Sequence, residues 1–323
     1  MLPWRRAGHR GVLLGPIRRA CGTDRSDFEL TCRQGFAVLR QDDCLPTALL
    51  KIQSECLSAV AWAILNRLYD LGSGRGMALQ NRVALVTGGS RGIGRGIAVK
   101  LAQDGARVAI AYRSNKTAAQ QTLRQLQASG VDCVAVETDI NDAGRAEELL
   151  RTVVDRFGRI DVVVNNVGDF RWGTLAESSL EDWQNVISSN LMTVLYVSRA
   201  ALPHLRRGRW GRIINLGAVG AERAFGQAKI SAYAAAKAAV VALSRSLALE
   251  EAKNGITVNV VNPSSIDENE LTLSEARKIR DARFPIGRPP TVEDVANTVA
   301  FFASEEAEYV TGQVVNVSGG WML

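Results

Sequence analysis

One short segment of this chain has residue types and spacing suited to binding a phosphate group. The segment Thr87–Gly94 (Thr-Gly-Gly-Ser-Arg-Gly-Ile-Gly) follows a short apolar run, Arg82–Thr87, and precedes a segment with helical apolar spacing. This pattern predicts a buried strand, a turn that Gly88 permits, and a helix. Gly92 and Gly94 place no side chain where backbone must approach a pyrophosphate and where helix must pack on sheet. The N–H groups at the helix amino terminus would then face the phosphates, so the segment predicts a dinucleotide site.

The residues after the second expected strand indicate which dinucleotide would bind. That strand, Arg107–Tyr112, is followed by Arg113 and Ser114, and Arg91 lies inside the glycine-rich turn. A site selective for NAD needs an acidic side chain here to accept hydrogen bonds from the ribose 2′-OH, and residues 111–116 contain none. Two guanidinium groups would instead bind a 2′-phosphate, so we expect NADP(H). In the alternative interpretation both arginines are solvated surface residues.

A tyrosine and a lysine four residues apart form the second group that could do chemistry. Tyr233 and Lys237 lie in Tyr-Ala-Ala-Ala-Lys, a helix-favouring sequence, so both side chains are expected on one helix face, one turn apart. The lysine ammonium, together with nearby cofactor charge, is expected to lower the pKa of the phenol. Alone, this spacing is common on ordinary helix surfaces. In register with the glycine-rich turn it favours a functional pair.

Taken together, these motifs resemble the short-chain dehydrogenase/reductase family, and most closely its 3-oxoacyl-[acyl-carrier-protein] reductases. The resemblance rests on the turn spacing Thr-Gly-x-x-x-Gly-x-Gly and on four segments: Ser90–Gly94, Tyr233–Lys237, Gly255–Val261 and Val310–Gly320. It covers residues 77–323. It implies an α/β fold with a single Rossmann-type doubly wound parallel sheet in three α/β/α layers. It also implies an oxidoreductase that transfers hydride between nicotinamide and a ketone or secondary alcohol, with a 3-oxoacyl thioester as a candidate substrate.

The resemblance implies a role for each matching residue. Tyr233 would donate its proton to a carbonyl oxygen as hydride reaches the carbon, Lys237 would hold the nicotinamide ribose, and Asn190 would bend a helix and hold a water leading to Lys237. Asp139 and Ile140 would contact adenine. The full cofactor set comprises Gly88, Ser90, Arg91, Gly92, Ile93, Gly94, Arg113, Ser114, Asp139, Ile140, Asn166, Gly168, Tyr233, Lys237, Pro263 and Ile266.

The chain departs from the family pattern at the residue expected to close the fifth strand. The family has a serine there that hydrogen-bonds the substrate oxygen, whereas this chain has Ala218. Loss of one such donor costs about 2.7–4 kcal/mol, or 10²–10³ in rate. A substitute hydroxyl such as Ser231 could act, turnover could be slow or rely on Tyr233 alone, or the protein could bind NADPH as a regulatory or scaffold homologue without useful turnover. We expect an active enzyme because the other catalytic positions match.

Two further features concern the cofactor loop and the substrate. The family's Pro-Gly after the sixth strand is Pro263-Ser264 here, which puts the loop path in doubt because a non-glycine residue resists positive φ. Residues 267–290 would form a substrate lid. Phe170 and Trp172 would line an acyl or aromatic pocket, or else serve only in packing.

Partners are predicted from charge and from the family. Basic residues beside the site strand would give an acyl carrier protein a landing patch, formed by Arg206, Arg207, Arg209 and Arg212. A solvated helix end is the alternative. Apolar helix faces around residues 180–205 and 233–252 resemble the family's subunit seams and suggest a homotetramer.

Composition divides the chain near residue 76. Residues 1–76 carry 11 Lys/Arg, 7 Asp/Glu and four of the five cysteines, while residues 77–323 carry 28 Lys/Arg and 26 Asp/Glu. The near-neutral body gives no reason to expect nucleic-acid binding, and no apolar run is long enough for a convincing membrane span. Cysteine and histidine spacing predicts no metal site, and the single body cysteine favours the cytoplasm. For residues 1–76 we expect a disordered or mis-assigned upstream extension, with a targeting segment or a small accessory element as alternatives.

Overall fold

Seven parallel strands form the sheet on which the predicted functional residues are placed. Their bounds in the computed structural model are β3 (Val83–Thr87), β4 (Arg107–Tyr112), β5 (Cys133–Glu137), β6 (Val162–Asn165), β7 (Gly211–Leu216), β8 (Ile256–Pro263) and β9 (Val314–Val317). The order across the sheet is β5-β4-β3-β6-β7-β8-β9, and every pairing is parallel. The expected Rossmann-type doubly wound sheet is confirmed.

Helices cover both faces of this sheet. They are α1 (Gly92–Gln103), α2 (Lys116–Ala128), α3 (Ala143–Phe157), α4 (Leu180–Ile187), α5 (Thr193–Gly208), α6 (Ser231–Glu251), α7 (Leu273–Ala276) and α8 (Val292–Ala303). In β3 all five residues are buried and alternate between two cores. Ala84 and Val86 pack with α1, α2 and α8, whereas Val83 and Leu85 pack with α3, α5 and α6. Burial on both faces is why the strands are continuous apolar runs.

The strand order reverses between β3 and β6, and this reversal positions the site. From β3 the chain moves outward through β4 and β5, then returns to pair β6 with the other side of β3. The loops after β3 and β6 therefore leave the sheet in opposite directions. They open a crevice at the carboxyl edge, where open α/β sheets bind their ligands.

The structure describes residues 31–33, 36–38, 78–224, 226–266 and 271–322. The chain divides into two compact units, Met1–Ser73 and Gly74–Leu323. In the first unit, β1 (Thr31–Arg33) and β2 (Phe36–Val38) pair antiparallel. The remaining expectations for residues 1–76, and those for the acidic start of the lid at 267–270, lie outside the described residues.

Among the described residues, one helical segment, Ser231–Asn254, is long and apolar enough to span a membrane by length and composition alone. It consists of α6 and the short 3₁₀ turn that follows. Leu247 and Ala248 of this helix belong to the core beneath the sheet, and the helix also carries Tyr233 and Lys237. Its apolar composition is therefore accounted for in part by packing against the sheet.

Candidate active site

A cavity of about 810 Å³ lies at the carboxyl edge where the strand order reverses. Twelve of the predicted cofactor residues line it: Gly88, Ser90, Arg91, Gly92, Ile93, Arg113, Ser114, Asp139, Ile140, Asn166, Gly168 and Ile266. Four do not line it. Gly94 lies behind the wall, Pro263 ends β8, and Tyr233 and Lys237 lie beyond the Gly168 end.

The glycine-rich turn has the geometry that a phosphate site needs. Arg91 is the extended N-cap residue of α1, and Gly92 has φ +56° with nothing within 4 Å of where a Cβ would be. The space beside the Gly92 Cα, next to the first N–H groups of the helix, can therefore receive a ligand. At Gly94 a Cβ would lie 2.3 Å from Gly88 O, so this glycine permits close packing of α1 on the turn.

Hydrogen bonds from β3, from the loop after β6 and from α2 hold this turn in place. The Asn166 backbone N–H donates to Thr87 Oγ1 over 3.0 Å, and Asn166 Nδ2 donates to Thr87 O at 3.1 Å and Gly88 O at 3.3 Å. Thr122 Oγ1 donates to Ser90 O at 3.0 Å. The phosphate-facing backbone is therefore held before any ligand arrives.

The two arginines expected to select the cofactor both line the cavity. Arg91 and Arg113 are exposed, and neither forms an ion pair with any described residue. Of the two acids in the lining, Asp139 and Asp169, Asp139 accepts hydrogen bonds from both the backbone and the side chain of Asn141. The two guanidinium groups could hold a phosphate through charge-assisted hydrogen bonds.

Several lining residues were missed by the sequence analysis: Ala111, Tyr112, Asn115, Thr138, Asn141, Asp169, Ser189 and Val292. Most are direct neighbours of predicted residues and could have been found by extending each motif by one position. Val292 could not, because it comes from α8, far along the chain. It reaches the site because Gly96 of α1 has no Cβ, and a Cβ there would lie 2.0 Å from Val292 Cγ1.

Lys237 is buried beneath the end of the cavity. Its Nζ donates to Leu216 O over 2.8 Å, where β7 ends, and lies 3.4 Å from where a Cβ of Gly168 would stand. Burial lowers the pKa of Lys237 to about 8. The ammonium is therefore tied to the sheet and lies next to the cofactor cavity.

The pKa of Tyr233 corrects one expectation. We expected Lys237 to lower it, but desolvation raises the pKa of Tyr233 to about 12. Lys237 Nζ lies 5.6 Å from the centre of the phenol ring and donates its hydrogen bond to Leu216. In the ligand-free protein, burial therefore dominates and the phenol keeps its proton near neutral pH.

Asn190 lies where a π-helical turn interrupts the helix between β6 and β7. The segment Ser188–Met192 is a π-helical turn between α4 and α5. Asn190 Nδ2 donates to Asp169 O over 2.7 Å and to Val186 O over 3.0 Å. Its buried Oδ1 has no partner among the described residues and lies 2.2 Å from where a Cβ of Gly168 would stand. A buried acceptor beside Lys237 and the cavity fits a polar group of a ligand or solvent there.

The structure places Ala218 two residues after the end of β7. The serines that line the cavity are Ser90, Ser114 and Ser189, and none of them comes from the segment that follows β7. Ser231, the nearest hydroxyl in sequence, is the first residue of α6 and lines a separate small pocket with Trp183 and Lys229. The backbone after β8 accommodates Ser264 where the family has glycine. Ser264 does not have a positive φ, and its N–H donates to Val317 O over 3.2 Å.

An aromatic surface adjoins Tyr233. The Phe170 ring meets the Tyr233 ring edge-on with centroids 5.1 Å apart, and Trp172 lies 6.1 Å beyond Phe170. Phe170 and Trp172 remain 56% and 57% exposed. Such exposure does not fit a packing role alone, so these rings are available to a substrate.

The proposed basic landing patch is wrong in position, and Arg212, one of its four members, is buried. Residues before β7 lie at the amino edge of the sheet, opposite the cavity, because all strands are parallel. Arg212 is only 1% exposed, stacks 4.0 Å from Trp210 and donates to Ser304 O. Arg206 is ion-paired with the buried Glu251. A sequence shows the charges of these residues but not that Arg206 and Arg212 already have partners in the fold.

Comparisons with known proteins agree with this architecture. A family model described as "Enoyl-(Acyl carrier protein) reductase" matches residues 88–322. The chain is 42% identical over 243 residues to the 3-oxoacyl-[acyl-carrier-protein] reductase FabG of Staphylococcus aureus, covering 74% of this chain and 98% of that one. The chain therefore belongs to the short-chain dehydrogenase/reductase family.

Two solved structures are similar over nearly their whole length. One is a short-chain dehydrogenase from Burkholderia cenocepacia in complex with NADP, with a TM-score of 0.68 and 37% identity, covering 75% of this chain and 98% of that chain. The other is a blue fluorescent protein from a metagenomic library in complex with NADPH, with a TM-score of 0.68 and 36% identity, covering 76% and 99%.

Among the described residues, no group of three or more His, Cys, Asp and Glu side chains is placed to hold a metal ion.

Proposed function

We propose that this protein is an NADP(H)-dependent oxidoreductase that interconverts a ketone and a secondary alcohol. The observation that carries the proposal is the placement of Tyr233, Lys237 and Asn190 together at the Gly168 end of the dinucleotide cavity. Bound NADP(H) would supply or accept the hydride. The turn at Gly88–Gly94 would hold its phosphates, and Ile266 would lie at its nicotinamide end.

The protein's own residues manage the proton. Tyr233 is protonated across the neutral range, because burial raises its pKa to about 12. It can donate this proton to a carbonyl oxygen during reduction once positive charge from Lys237 and the cofactor stabilises the phenolate that forms. Lys237 would hold the ribose and bring positive charge towards the phenolate that forms. Asn190 Oδ1, which has no partner among the described residues, would accept a hydrogen bond from solvent on the route by which Tyr233 is reprotonated.

The two arginines on the cavity wall support NADP(H) over NAD(H), and the similar structures that contain NADP or NADPH support it further. Arg113→Asp should weaken NADPH binding at least tenfold, since a charge-assisted hydrogen bond contributes roughly 1.5–3 kcal/mol, and should affect NADH much less. Arg124→Asp, an exposed arginine of α2 outside the cavity, is the matched control. Equal losses for the two dinucleotides would contradict the assignment.

For the substrate we propose a 3-oxoacyl thioester, with acyl carrier protein as a partner. The relatives named 3-oxoacyl-[acyl-carrier-protein] reductase support this choice, and the exposed rings of Phe170 and Trp172 give an acyl chain an apolar surface. A carrier protein would have to approach the carboxyl edge of the sheet.

We also propose a homotetramer, because Leu249 of α6 is 84% exposed on a helix otherwise rich in apolar residues.

A binding protein with little turnover is the second candidate, and Ala218 is the observation that favours it. Loss of NADPH absorbance with acetoacetyl thioester and a panel of small ketones separates the two. Substrate-dependent oxidation by the natural protein supports the enzyme, and Ala218→Ser should then raise the rate by up to 10²–10³-fold. Tight NADPH binding without oxidation, reversed by Ala218→Ser, would establish the binding protein instead.

A further inference from the structure

A carboxylate from the loop that carries Ala218 is bound by the ends of two neighbouring strands. Asn262 of β8 and Asn316 of β9 are partners in the strand register, and Asn262 Nδ2 donates to Asn316 Oδ1 over 2.9 Å. Asn262 Nδ2 also donates to Glu222 Oε2 over 3.0 Å, and Asn316 Nδ2 donates to Glu222 Oε1 over 2.9 Å. Both oxygens of the carboxylate are therefore engaged. We call these three residues the Glu222 clamp.

The clamp contacts the loop at both ends of a six-residue segment, residues 217–222. At its start, Gly217 lies so close to Asn262 that a Cβ would stand 2.0 Å from Asn262 Oδ1. At its end, Glu222 is hydrogen-bonded to the same asparagine, which is fully buried. Ala218 lies between the two attachments. Arg223 adds a third, since its Nη2 donates to Met322 O over 2.6 Å.

The charge of Glu222 is matched by its surroundings. Burial alone would raise the pKa of Glu222, but hydrogen bonds from Asn316, its own backbone N–H and Asn262, together with the nearby Arg223, outweigh burial and hold the pKa below its usual value. The carboxylate is therefore ionised at neutral pH. Hydrogen bonds to an ionised acceptor are roughly twice as strong as neutral ones.

The clamp is connected to both parts of the site, the cofactor cavity and the helix that carries Tyr233. On one side, Asn262 leads through Pro263 to Ile266 in the cavity wall. On the other, the turn Ala221–Arg223 packs against α6, the helix that carries Tyr233. Residues 217–221 carry no hydroxyl, so they can meet the substrate only with their backbone and with apolar side chains such as Ala218 and Val219. Their placement must then come from elsewhere in the chain.

We propose that Glu222, with Asn262 and Asn316, is a positioning residue that holds residues 217–222 in the conformation able to receive substrate beside Tyr233. This inference rests on the proposed carbonyl reductase function. When only a fraction of the protein has the competent conformation, the apparent dissociation constant rises by the inverse of that fraction. Loosening the clamp should therefore raise KM for the carbonyl substrate and leave kcat nearly unchanged.

Glu222→Gln tests the proposal, because it keeps the shape but places an amide N–H against one asparagine donor. We expect KM for the carbonyl substrate to rise about tenfold, kcat to stay within about twofold, and the NADPH dissociation constant to be unchanged. Asn316→Ala should act in the same direction. The double variant should show less than the sum of the two effects, because both act through one set of hydrogen bonds.

Glu251→Gln is the matched control. Glu251 is a buried carboxylate that accepts hydrogen bonds from Arg206 and Asn254, and it lies at the other end of α6, about 27 Å along the helix from Tyr233 at 1.5 Å per residue. The Glu251→Gln substitution should lower the melting temperature without changing KM for the carbonyl substrate. Unchanged KM in Glu222→Gln, or an equal rise in Glu251→Gln, would overturn the proposal.

Amide hydrogen exchange separates the clamp from the proposed function. Peptides covering residues 217–224 should exchange faster in Glu222→Gln than in the natural protein or in Glu251→Gln, whatever the substrate. Unchanged exchange there would overturn the clamp even in an active enzyme. Faster exchange in Glu222→Gln, together with no turnover of carbonyl substrates by the natural protein, would instead show that the clamp is structural only and that the proposed function is wrong.

Discussion

At the scale of single residues, burial sets the proton affinities of the candidate catalytic pair. Lys237 is nearly inaccessible and its pKa falls to about 8, while the pKa of Tyr233 rises to about 12. Sequence spacing indicates only that the charge of one residue could act on the other. It does not show that Lys237 Nζ donates to Leu216 O and lies 5.6 Å from the centre of the phenol ring.

The lysine titration gives a pH prediction for the ligand-free protein. The pKa of Lys237 is about 8 when folded, against 10.5 for an unperturbed lysine. Between these values the unfolded chain binds more protons, so the free energy of unfolding should rise with pH across that window. Lys237→Met should lack this rise, which thermal melts of both proteins at several pH values would show.

Direct titration provides the second readout. Lysine side-chain NMR should give an apparent pKa near 8 for the resonance lost in Lys237→Met. A lysine that titrates near 10.5 would show that burial does not perturb this group.

At the scale of elements, the strands and the glycine-rich turn were predictable, whereas contacts between distant segments were not. Strand β4 lies over the predicted Arg107–Tyr112, and β3 differs by one residue. Apolar runs and glycine spacing are local signals that single elements carry. The Glu222 clamp and the contribution of Val292 depend on pairs of residues far apart in sequence, for which a single sequence has no signal.

The packing of α1 on its turn yields a prediction at this scale. Gly94→Ala would place a Cβ 2.3 Å from Gly88 O, so backbone must shift in the phosphate-binding turn. We expect NADPH binding to weaken at least tenfold, about 1.4 kcal/mol or more, and the melting temperature to fall by several degrees, roughly as for a loss of 1–3 kcal/mol.

Gly208→Ala is its control, because nothing lies within 4 Å of the added methyl group at the end of α5. It should leave both quantities nearly unchanged. If Gly94→Ala bound NADPH as the natural protein does, close packing at this turn would not be what shapes the site.

At the scale of the whole molecule, the sheet and the candidate site lie within the unit Gly74–Leu323. Both cores and every cavity-lining residue come from this unit. A shortened chain that begins at Ala78 should therefore fold cooperatively and bind NADPH with an affinity within about threefold of the full chain, within the usual context dependence. Circular dichroism melts and NADPH fluorescence would measure this.

Aggregation of the shortened chain, or loss of its NADPH binding, would show that residues before Ala78 are needed by the second unit. The extent of the fold was predictable because the glycine-rich turn fixes the first strand and the family motifs follow at regular distances. The contacts of Arg206 and Arg212 were not predictable, because a sequence shows charge but not which acid or ring already contacts it.

The central claim is that Tyr233 donates a proton while NADPH reduces a carbonyl. Its most direct test is NADPH oxidation with an acetoacetyl thioester by the natural protein, by Tyr233→Phe and by Tyr309→Phe, whose ring is fully exposed away from the site. We predict substrate-dependent oxidation that falls by about 10²–10⁴-fold in Tyr233→Phe, with NADPH still bound, and that is unchanged in Tyr309→Phe. Equal activity in Tyr233→Phe and the natural protein would contradict the account.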